Sequence, residues 1–315
     1  MDALCDSRPR VLAIGGPTAT GKTRLSVALA QQFGGEIISA DSMQIYRGLD
    51  IGTAKATAQE QAGIPHHLVD ILPPEQTFSV ADFTKRAGAC IGEITARGAL
   101  PLVVGGTGLY ITSLLRGVQF SEEPSNAQLR ADLQRQAAEQ GAQAMHDRLA
   151  QIDAVYAAKV HPNNLTRVLR ALELYELTGR TMTVQQKEAL PTQQPYRSLC
   201  LCLTCRDRSV LYHRIDARVD AMLQEGLEQE AQWVWQNQAQ CPTAAQAIGY
   251  KEMFPYFEGN ATLPQCVQQL KQATRRYAKR QLTWFRNQQD VEWLYVDEED
   301  PLPRAVQLTR AFLEE

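Results

Sequence analysis

The 315-residue sequence lacks the features of a secreted or membrane protein. Its seven cysteines are odd in number and show no disulfide framework, and Cys202 and Cys205 have no second CxxC pair to complete a zinc site. No run approaches the roughly 18 apolar residues of a membrane span. The amino-terminal stretch MDALCDSRPR contains no apolar segment of signal-peptide type. These absences predict a cytoplasmic protein without membrane contact.

The chain also lacks a large excess of charge of either sign, since its formal net charge is −3. A uniformly basic protein that coats nucleic acid is therefore excluded, and any contact with nucleic acid must come from a local patch. Residues 259–289 form such a patch, because they contain no Asp or Glu. Charge of a single sign is better explained by a polyanion than by solvation, so the patch predicts nucleic-acid binding. Its cations are Lys271, Arg275, Arg276, Lys279, Arg280 and Arg286.

Helical spacing divides this basic segment into two faces. If residues 263–287 form a helix, most of the cations lie on one stripe. Apolar side chains share another face at three- and four-residue spacing, so we expect its aromatic residues to anchor the helix rather than to stack on bases. That second face consists of Leu270, Ala273, Tyr277 and Trp284.

Short apolar, β-rich runs alternate with helical patterns along most of the chain. This alternation predicts an α/β fold with a mainly parallel sheet flanked by helices. A Gln/Ala-rich stretch without strands at residues 122–158 predicts a small all-helical insertion domain. We therefore divide the chain into a core of residues 1–117 and 163–315 and an insertion of residues 118–162. The predicted strands are residues 11–16, 36–40, 67–72, 101–106, 198–203 and 291–296.

A phosphate-binding loop follows the first predicted strand. The sequence GPTATGKT matches G-x4-G-K-[ST] between a strand and a helix, which is the context that this motif requires. Backbone N–H groups and the positive end of the helix can surround phosphate oxygens, Lys22 adds a charge, and the Thr23 hydroxyl can hold Mg²⁺. The diphosphate-binding residues are Gly16, Pro17, Thr18, Ala19, Thr20, Gly21, Lys22 and Thr23.

The loop alone does not identify its ligand. A nucleoside triphosphatase usually has a metal-binding Asp at the end of a buried strand. Here the strand PLVV ends in Gly105, Gly106 and Thr107, and Asp70 is the nearby alternative. This substitution weakens the interpretation of the loop as an ATP-binding site.

Asp41 follows the second predicted strand. In a doubly wound sheet, the first two strands end at the same crevice, so we expect Asp41 near the bound phosphates. A carboxylate there is a candidate base or outer metal ligand, although it could also cap the segment that follows. Arg214 and Arg218 are spaced to share a helix face and could reach a diphosphate, or could pair with acidic neighbours on a solvated face.

Six blocks in this order closely resemble the bacterial tRNA dimethylallyltransferases, also called tRNA isopentenyltransferases. They are GPTATGKT, ISADSMQIYRGLDIGTAK, VVGGTGLY, HPNNLTRVLRALE, AIGYKE and RRYAKRQLTWFR, and they span residues 16–286. Many kinases share the first block, so the specific signals are DSMQIYR and YAKRQLTWFR. Ala56 stands where the family often has Pro, and Asn164 where it commonly has Asp. Neither position carries the expected chemistry.

The resemblance implies a P-loop NTPase-like fold and transfer of a dimethylallyl group from dimethylallyl diphosphate to the N6 amine of the adenosine 3′ to the tRNA anticodon. No ATP is consumed. By this resemblance Asp41 is the base, and Lys22, Thr107 and Arg218 stabilise the diphosphate together with Mg²⁺ on Thr23. The implied partner is the tRNA anticodon stem-loop, bound by a monomer. The tRNA contacts carried over are Asp41, Ser42, Met43, Gln44, Thr107, Arg130, Thr166, Arg167, Arg170, Gln246, Gly249, Tyr250, Lys251, Lys279, Arg280, Gln281, Thr283, Trp284 and Arg286.

Two other functions compete with the transferase. A P-loop kinase of a nucleotide or small metabolite shares the fold and the motif, but it has no use for an acid-free basic helix. A non-catalytic RNA-binding module leaves GPTATGKT and Asp41 without a purpose. If the transferase is correct, the composition of the insertion and its Arg130 suggest that it closes over the tRNA arm.

Overall fold

The computed structural model describes residues 6–120 and 126–315, and these residues form one parallel sheet of six strands. The order across the sheet is β3-β2-β4-β1-β5-β6. This arrangement confirms the predicted mainly parallel α/β fold. The strands are β1 (Arg10–Gly15), β2 (Gly35–Ser39), β3 (His66–His67), β4 (Leu100–Val104), β5 (Arg197–Thr204) and β6 (Val291–Tyr295).

Helices connect these strands. The first part of the chain contains α1 (Lys22–Phe33), α2 (Ala58–Gln61), α3 (Val80–Ala96) and α4 (Gly108–Leu115). Residues 116–193 contribute α5 (Ala127–Gln140), α6 (Ala142–Ile152), α7 (Ala154–Ala157), α8 (Leu165–Thr178) and α9 (Met182–Glu188). After β5 follow α10 (Arg208–Glu225), α11 (Leu227–Gln236), α12 (Pro242–Ala245), α13 (Phe254–Phe257), α14 (Leu263–Arg286) and α15 (Pro301–Glu314).

The two faces of the sheet have separate apolar cores. On one face Ile38 and Val103 pack with Phe83 and Ile91 of α3. On the other face Leu12 and Leu102 pack with side chains of α1 and α15. Strands buried on both faces explain the continuous apolar runs of the sequence. Within the described residues, no helix is long and apolar enough to cross a membrane.

Strand register aligns the ends of the central strands. Ile14 lies opposite Val104 of β4, and Ser39 lies opposite the same residue on the other side. The segments that leave β1, β2 and β4 therefore begin at one edge of the sheet. This edge is where ligands bind in open parallel sheets.

Two predicted elements differ from the structure. The strand expected at residues 67–72 is reduced to His66–His67, because Leu68 (φ 61°) and Asp70 (φ 56°) adopt left-handed backbone conformations that end the pairing. The apolar pattern of residues 208–236 predicts one helix, but the structure interrupts it at Gly226, whose φ is 110°. Apolar pattern alone does not reveal such backbone reversals.

The helical part of the chain is a compact unit of its own that comprises residues 116–193. The sequence placed its end at residue 162, whereas the structure adds α8 and α9. The physical reason is that Val168 and Leu172 of α8 are fully buried against Leu133 and Met145 of α5 and α6. Residues 121–125 of the predicted insertion lie outside the described residues.

Candidate functional site

The phosphate loop connects β1 to α1 at the edge where the central strands end. Gly21 has a left-handed conformation and precedes α1, so Lys22 and Thr23 begin the helix. The Thr20 hydroxyl and the Lys22 ammonium both donate to the carbonyl oxygen of Pro17, at 2.8 and 2.7 Å. The loop is therefore held in a compact turn by its own side chains, beside the positive end of α1.

Two cations, Lys22 and Arg218, lie at this loop, and no acidic side chain of the described residues forms an ion pair with either. Burial and, after it, the positive charge of Arg218 lower the pKa of Lys22 to about 8, although the Asp41 carboxylate opposes this change. Burial also lowers the pKa of Arg218. A site that destabilises two positive charges is suited to a polyanion, whose negative charge would stabilise both.

Asp41 and Thr107 are joined through the backbone of Ala40. The Ala40 N–H donates to the Val104 carbonyl at 2.7 Å, and the Thr107 N–H donates to the Ala40 carbonyl at 3.3 Å. The ends of β2 and β4 therefore form one surface next to the phosphate loop. The prediction that Asp41 and the loop share an edge is confirmed by the strand order.

Both side chains retain free hydrogen-bonding capacity. Asp41 Oδ1 accepts from the Met43 N–H at 2.9 Å, so the carboxylate does cap the following turn. Among the described residues Asp41 Oδ2 has no hydrogen-bond donor, and Thr107 Oγ1 is buried without a partner. Capping and a chemical role are therefore compatible, because they use different oxygens of Asp41.

The residues here fit Mg²⁺ only if a substrate supplies most of its ligands. The described residues contain no group of three or more His, Cys, Asp or Glu side chains placed to hold a metal. Thr23 offers a hydroxyl in the first turn of α1. Asp70, the alternative metal ligand, is bonded to Lys55 instead. Mg²⁺ commonly binds through few protein ligands plus phosphates and water, which suits this arrangement.

The basic segment is helical, as predicted, but its buried face is rotated from the predicted one. Tyr277 and Trp284 are only half-buried. Trp284 nevertheless lies directly against Gly108, where a Cβ atom would come within 2.2 Å of its ring. Glycine is thus required at position 108 for α14 to approach the loop after β4. The buried residues of α14 are Cys266, Leu270, Ala278, Gln281, Leu282 and Phe285.

The positive charges of α14 are not equivalent. Lys271 and Arg275 form ion pairs at 2.6 Å with Asp220 and Asp216 of α10. Acidic residues distant in sequence therefore neutralise two cations of a segment that itself contains no acid. In the part of the chain that the structure describes, no acidic side chain pairs with the exposed Arg276, Lys279, Arg280 or Arg286.

A small cavity of about 80 Å³ lies between α10 and the carboxyl-terminal part of α14. Arg208, Lys279 and Arg286 line it together with Thr283, so three cations converge on one pocket. Sequence patterns missed Arg208 because it begins a different helix. Arg214 does not join the diphosphate site, because its guanidinium donates to the Val296 carbonyl at 3.2 Å.

Several residues carried over as tRNA contacts have their polar atoms occupied inside the protein. The Gln44 amide bonds to Ser39, Thr53 and Ala54. Tyr250 is fully buried and its hydroxyl donates to Glu230 at 2.8 Å. Gln281 is also buried and hydrogen-bonded. The structure therefore gives these side chains internal roles, because none of them presents a free polar atom to an RNA.

Most of the other carried-over positions in the same unit are at least partly accessible. Ser42 and Met43 are half-buried beside Asp41, and Gly249 is buried. The exposed positions are Gln246, Lys251, Lys279, Arg280, Thr283 and Arg286.

In the helical unit, Glu173 organises two of the expected RNA-binding arginines. Arg130 and Arg170 each approach its carboxylate at 3.0 Å. Burial acts to raise the pKa of Glu173, but these hydrogen bonds outweigh it and leave the pKa below its usual value. The ion pair of Arg130 with Glu173 therefore joins α5 to α8. Thr166 and Arg167 remain exposed on α8.

Comparisons with known proteins agree with this arrangement. A family model described as IPP transferase matches residues 44–288, and one described as isopentenyl transferase matches residues 9–70. The chain is 50% identical over 303 residues to a tRNA dimethylallyltransferase of Geobacillus thermodenitrificans, covering 96% of this chain and 95% of the relative. It is 49% identical over 288 residues to that of Bacillus subtilis, with 91% of each chain covered.

Solved structures give the same grouping. The tRNA isopentenylpyrophosphate transferase of Bacillus halodurans superposes with a TM-score of 0.74 at 45% identity, covering 98% of this chain and 97% of that one. A eukaryotic dimethylallyltransferase, described as acting on tRNA, superposes with a TM-score of 0.81 at 30% identity, covering 97% of this chain and 80% of that one.

Proposed function

Because this chain belongs to the tRNA dimethylallyltransferase family, we propose that it transfers a dimethylallyl group from dimethylallyl diphosphate to a tRNA. The acceptor is the N6 amine of the adenosine on the 3′ side of the anticodon. The observation that carries this proposal is the backbone link from Ala40 to Thr107, which brings Asp41 and Thr107 to the edge that holds the phosphate loop. The site thus combines residues that can bind a diphosphate with a carboxylate that can accept a proton.

The phosphate loop and its cations act on the leaving group. As the allylic C–O bond breaks, negative charge develops on the diphosphate. Backbone N–H groups of the loop, Lys22 and Arg218 stabilise this charge more in the transition state than in the ground state, which lowers the barrier. Lys22 exchanges its hydrogen bond to Pro17 for one to the diphosphate. The Thr107 hydroxyl, buried without a partner, donates to the same group.

Mg²⁺ is part of this proposal, with Thr23 and the diphosphate oxygens as its ligands. When bound, it supplies additional positive charge to the departing diphosphate.

Asp41 acts on the nucleophile. The adenine N6 amine is a poor nucleophile because its lone pair is delocalised into the ring, so loss of its proton must accompany formation of the C–N bond. Asp41 Oδ2 accepts that proton while Oδ1 remains bonded to the Met43 N–H and keeps the carboxylate in place. A positioned base of this kind contributes about 10²–10⁴-fold to the rate.

The exposed cations of α14 bind the RNA. An adenine must leave its stack to reach a buried site, which costs a few kcal/mol, and less in a loop than in a duplex. Contacts from Lys279, Arg280 and Arg286 to loop phosphates offset this cost. The proposed tRNA substrate also places the reaction in the cytoplasm.

Mass spectrometry tests the function directly. Unmodified tRNA is incubated with the protein, Mg²⁺ and dimethylallyl diphosphate, and a parallel reaction contains ATP alone. We expect the gain of one five-carbon unit on the adenosine beside the anticodon, without ATP. Consumption of ATP without prenylation would instead support the P-loop kinase.

Asp41→Asn tests the proposed base. We expect turnover to fall by at least about 10²-fold while tRNA affinity changes little, because the base acts mainly in the transition state. Asp50→Asn is the matched control, since Asp50 lies on the same loop but is exposed and paired with Lys55. Equal turnover of Asp41→Asn and the wild type in single-turnover assays would remove Asp41 from this role.

A further inference from the structure

Gln281 connects two loops of the active site through a single side chain. It lies on α14 and is 6% exposed. Its Nε2 donates to the Gly106 carbonyl at 2.9 Å, and its Oε1 accepts from the Thr18 N–H at 3.2 Å. Thr18 belongs to the phosphate loop, and Gly106 immediately precedes Thr107. The amide therefore spans the phosphate loop that follows β1 and the loop that follows β4.

The Gln281 amide approaches the backbone so closely that the residue at position 106 can have no side chain. A Cβ atom at position 106 would come within 2.1 Å of Gln281 Nε2, so glycine is required there. An amide has one donor end and one acceptor end, and here each end meets its complement. Because both ends are used and the side chain is buried, Gln281 cannot also bond to an RNA in this conformation.

We propose that Gln281 is a positioning residue for the transfer reaction, which holds the phosphate loop and the Gly106–Thr107 segment in the spacing that a bound diphosphate requires. The inference rests on the proposed function and reassigns a side chain that family resemblance alone places among the tRNA contacts. Gln281 acts through the Thr18 amide and through Thr107. It aligns groups that must meet the diphosphate without touching the reacting atoms.

The first test measures binding of inorganic diphosphate by calorimetry and of tRNA by filter binding. For Gln281→Leu we expect diphosphate affinity to fall by about tenfold, because two buried hydrogen bonds are lost and the loop is no longer held for its ligand. Affinity for tRNA should be unchanged. The matched control is Gln272→Leu, which replaces an exposed glutamine on the same helix and should leave both affinities unchanged.

The opposite pattern would overturn the proposal. Weaker tRNA binding with unaltered diphosphate binding would return Gln281 to the RNA contacts, and no change in either would make the bridge dispensable. Diphosphate binding is measured without turnover, so a negative result would refute the role of Gln281 alone. A failure of the proposed function would instead be detected by the mass-spectrometric assay.

An isosteric variant provides a second test in case Gln281→Leu does not fold. In Gln281→Glu one oxygen of an ionised carboxylate would still accept from the Thr18 N–H, but the other would face the Gly106 carbonyl oxygen, and that contact is repulsive. A protonated carboxyl has one donor and one acceptor, like the amide. We expect the deficit in diphosphate affinity relative to the wild type to shrink as the pH falls from about 8 toward about 5.

The diphosphate affinity of the variant is divided by that of the wild type at each pH. This ratio removes the contributions of other ionisable groups near α14, which are present in both proteins, namely Lys22, Asp41 and Tyr277. A merely structural role would lower thermal stability without this pH-dependent recovery. A ratio that stays constant with pH would contradict the bridge.

Discussion

Basic residues of this protein fall into two groups that differ in their surroundings. Lys271, Arg275 and Arg130 are paired with carboxylates of neighbouring helices at 2.6, 2.6 and 3.0 Å. Lys22 and Arg218 at the phosphate loop have no such partner in the described residues, nor do the exposed cations of α14. The first group completes the fold, and the second is available to external anions.

The difference shows why charge density along the chain overstates a binding surface. In the sequence the acid-free segment carries six equivalent cations, but α10 neutralises two of them across helices. A polyanion is attracted by charge that remains unpaired after folding. Neutralising a cation of the first group should therefore affect the stability of the fold, whereas neutralising a cation of the second group should affect the binding of anions.

The largest effect is expected at Arg218. Arg218→Gln removes a half-buried positive charge that would stabilise the leaving diphosphate, and we expect kcat/KM to fall by about 10²–10³-fold with unchanged tRNA affinity. Steady-state kinetics with varied dimethylallyl diphosphate measures this. Arg214→Gln is the control on the same helix, because Arg214 bonds to the Val296 carbonyl instead. Similar losses in both variants would contradict the separation into two groups.

A smaller effect is expected from pH. Lys22 is protonated in the free protein below its pKa of about 8, and a bound diphosphate raises this pKa. Affinity for dimethylallyl diphosphate should therefore be nearly constant below pH 8 and fall by up to about tenfold per pH unit above it. Calorimetry across this range measures the slope.

Lys22→Arg sharpens the pH experiment, because a guanidinium keeps its charge throughout the range. The decline above pH 8 should disappear in this variant, even if its affinity is lower. A decline of equal steepness would assign the titration to another group.

The smallest effect is expected on the surface of α14. Lys279→Ala with Arg280→Ala should weaken tRNA binding by about tenfold and lower the slope of log affinity against log salt by about 0.7 for each lost contact. The matched pair, Lys271→Ala with Arg275→Ala, removes the same formal charge from the same helix. It should leave that slope unchanged and cost at most about 1 kcal/mol of stability for each ion pair.

Filter binding at several salt concentrations distinguishes the two double variants. Equal slopes would show that RNA responds to the total charge of α14, and the comparison between paired and unpaired cations would then fail.

The sequence predicted much of the sheet and the phosphate loop, because both follow from local patterns. Apolar runs of strand length and GPTATGKT specify their structures within a few residues. The position of Asp41 at the edge that holds the phosphate loop also follows from the doubly wound topology, whereas the place of β4 between β2 and β1 is known only from the structure. The resemblance to a family supplied the reaction.

What could not be predicted depends on contacts between distant segments. Three contacts of this kind join residues that share no sequence pattern. They are the ion pair of Lys271 with Asp220, the bridge formed by Gln281, and the hydrogen bond of the buried Tyr250 to Glu230. The end of the helical unit was misplaced for a similar reason, since the apolar face of α8 could have packed on either part of the chain. Left-handed residues such as Leu68 shortened β3 without a glycine to indicate the turn.

The two faces of α14 also constrain the length of this helix. Each residue advances the helical direction by about 100°, and Gln281 lies only two positions from the exposed Lys279. One residue added or lost before Tyr277 would rotate both faces together, moving the amide away from Gly106 and the cations toward the core. Substitutions on the outer face of α14 should therefore be tolerated far better than insertions or deletions within this helix.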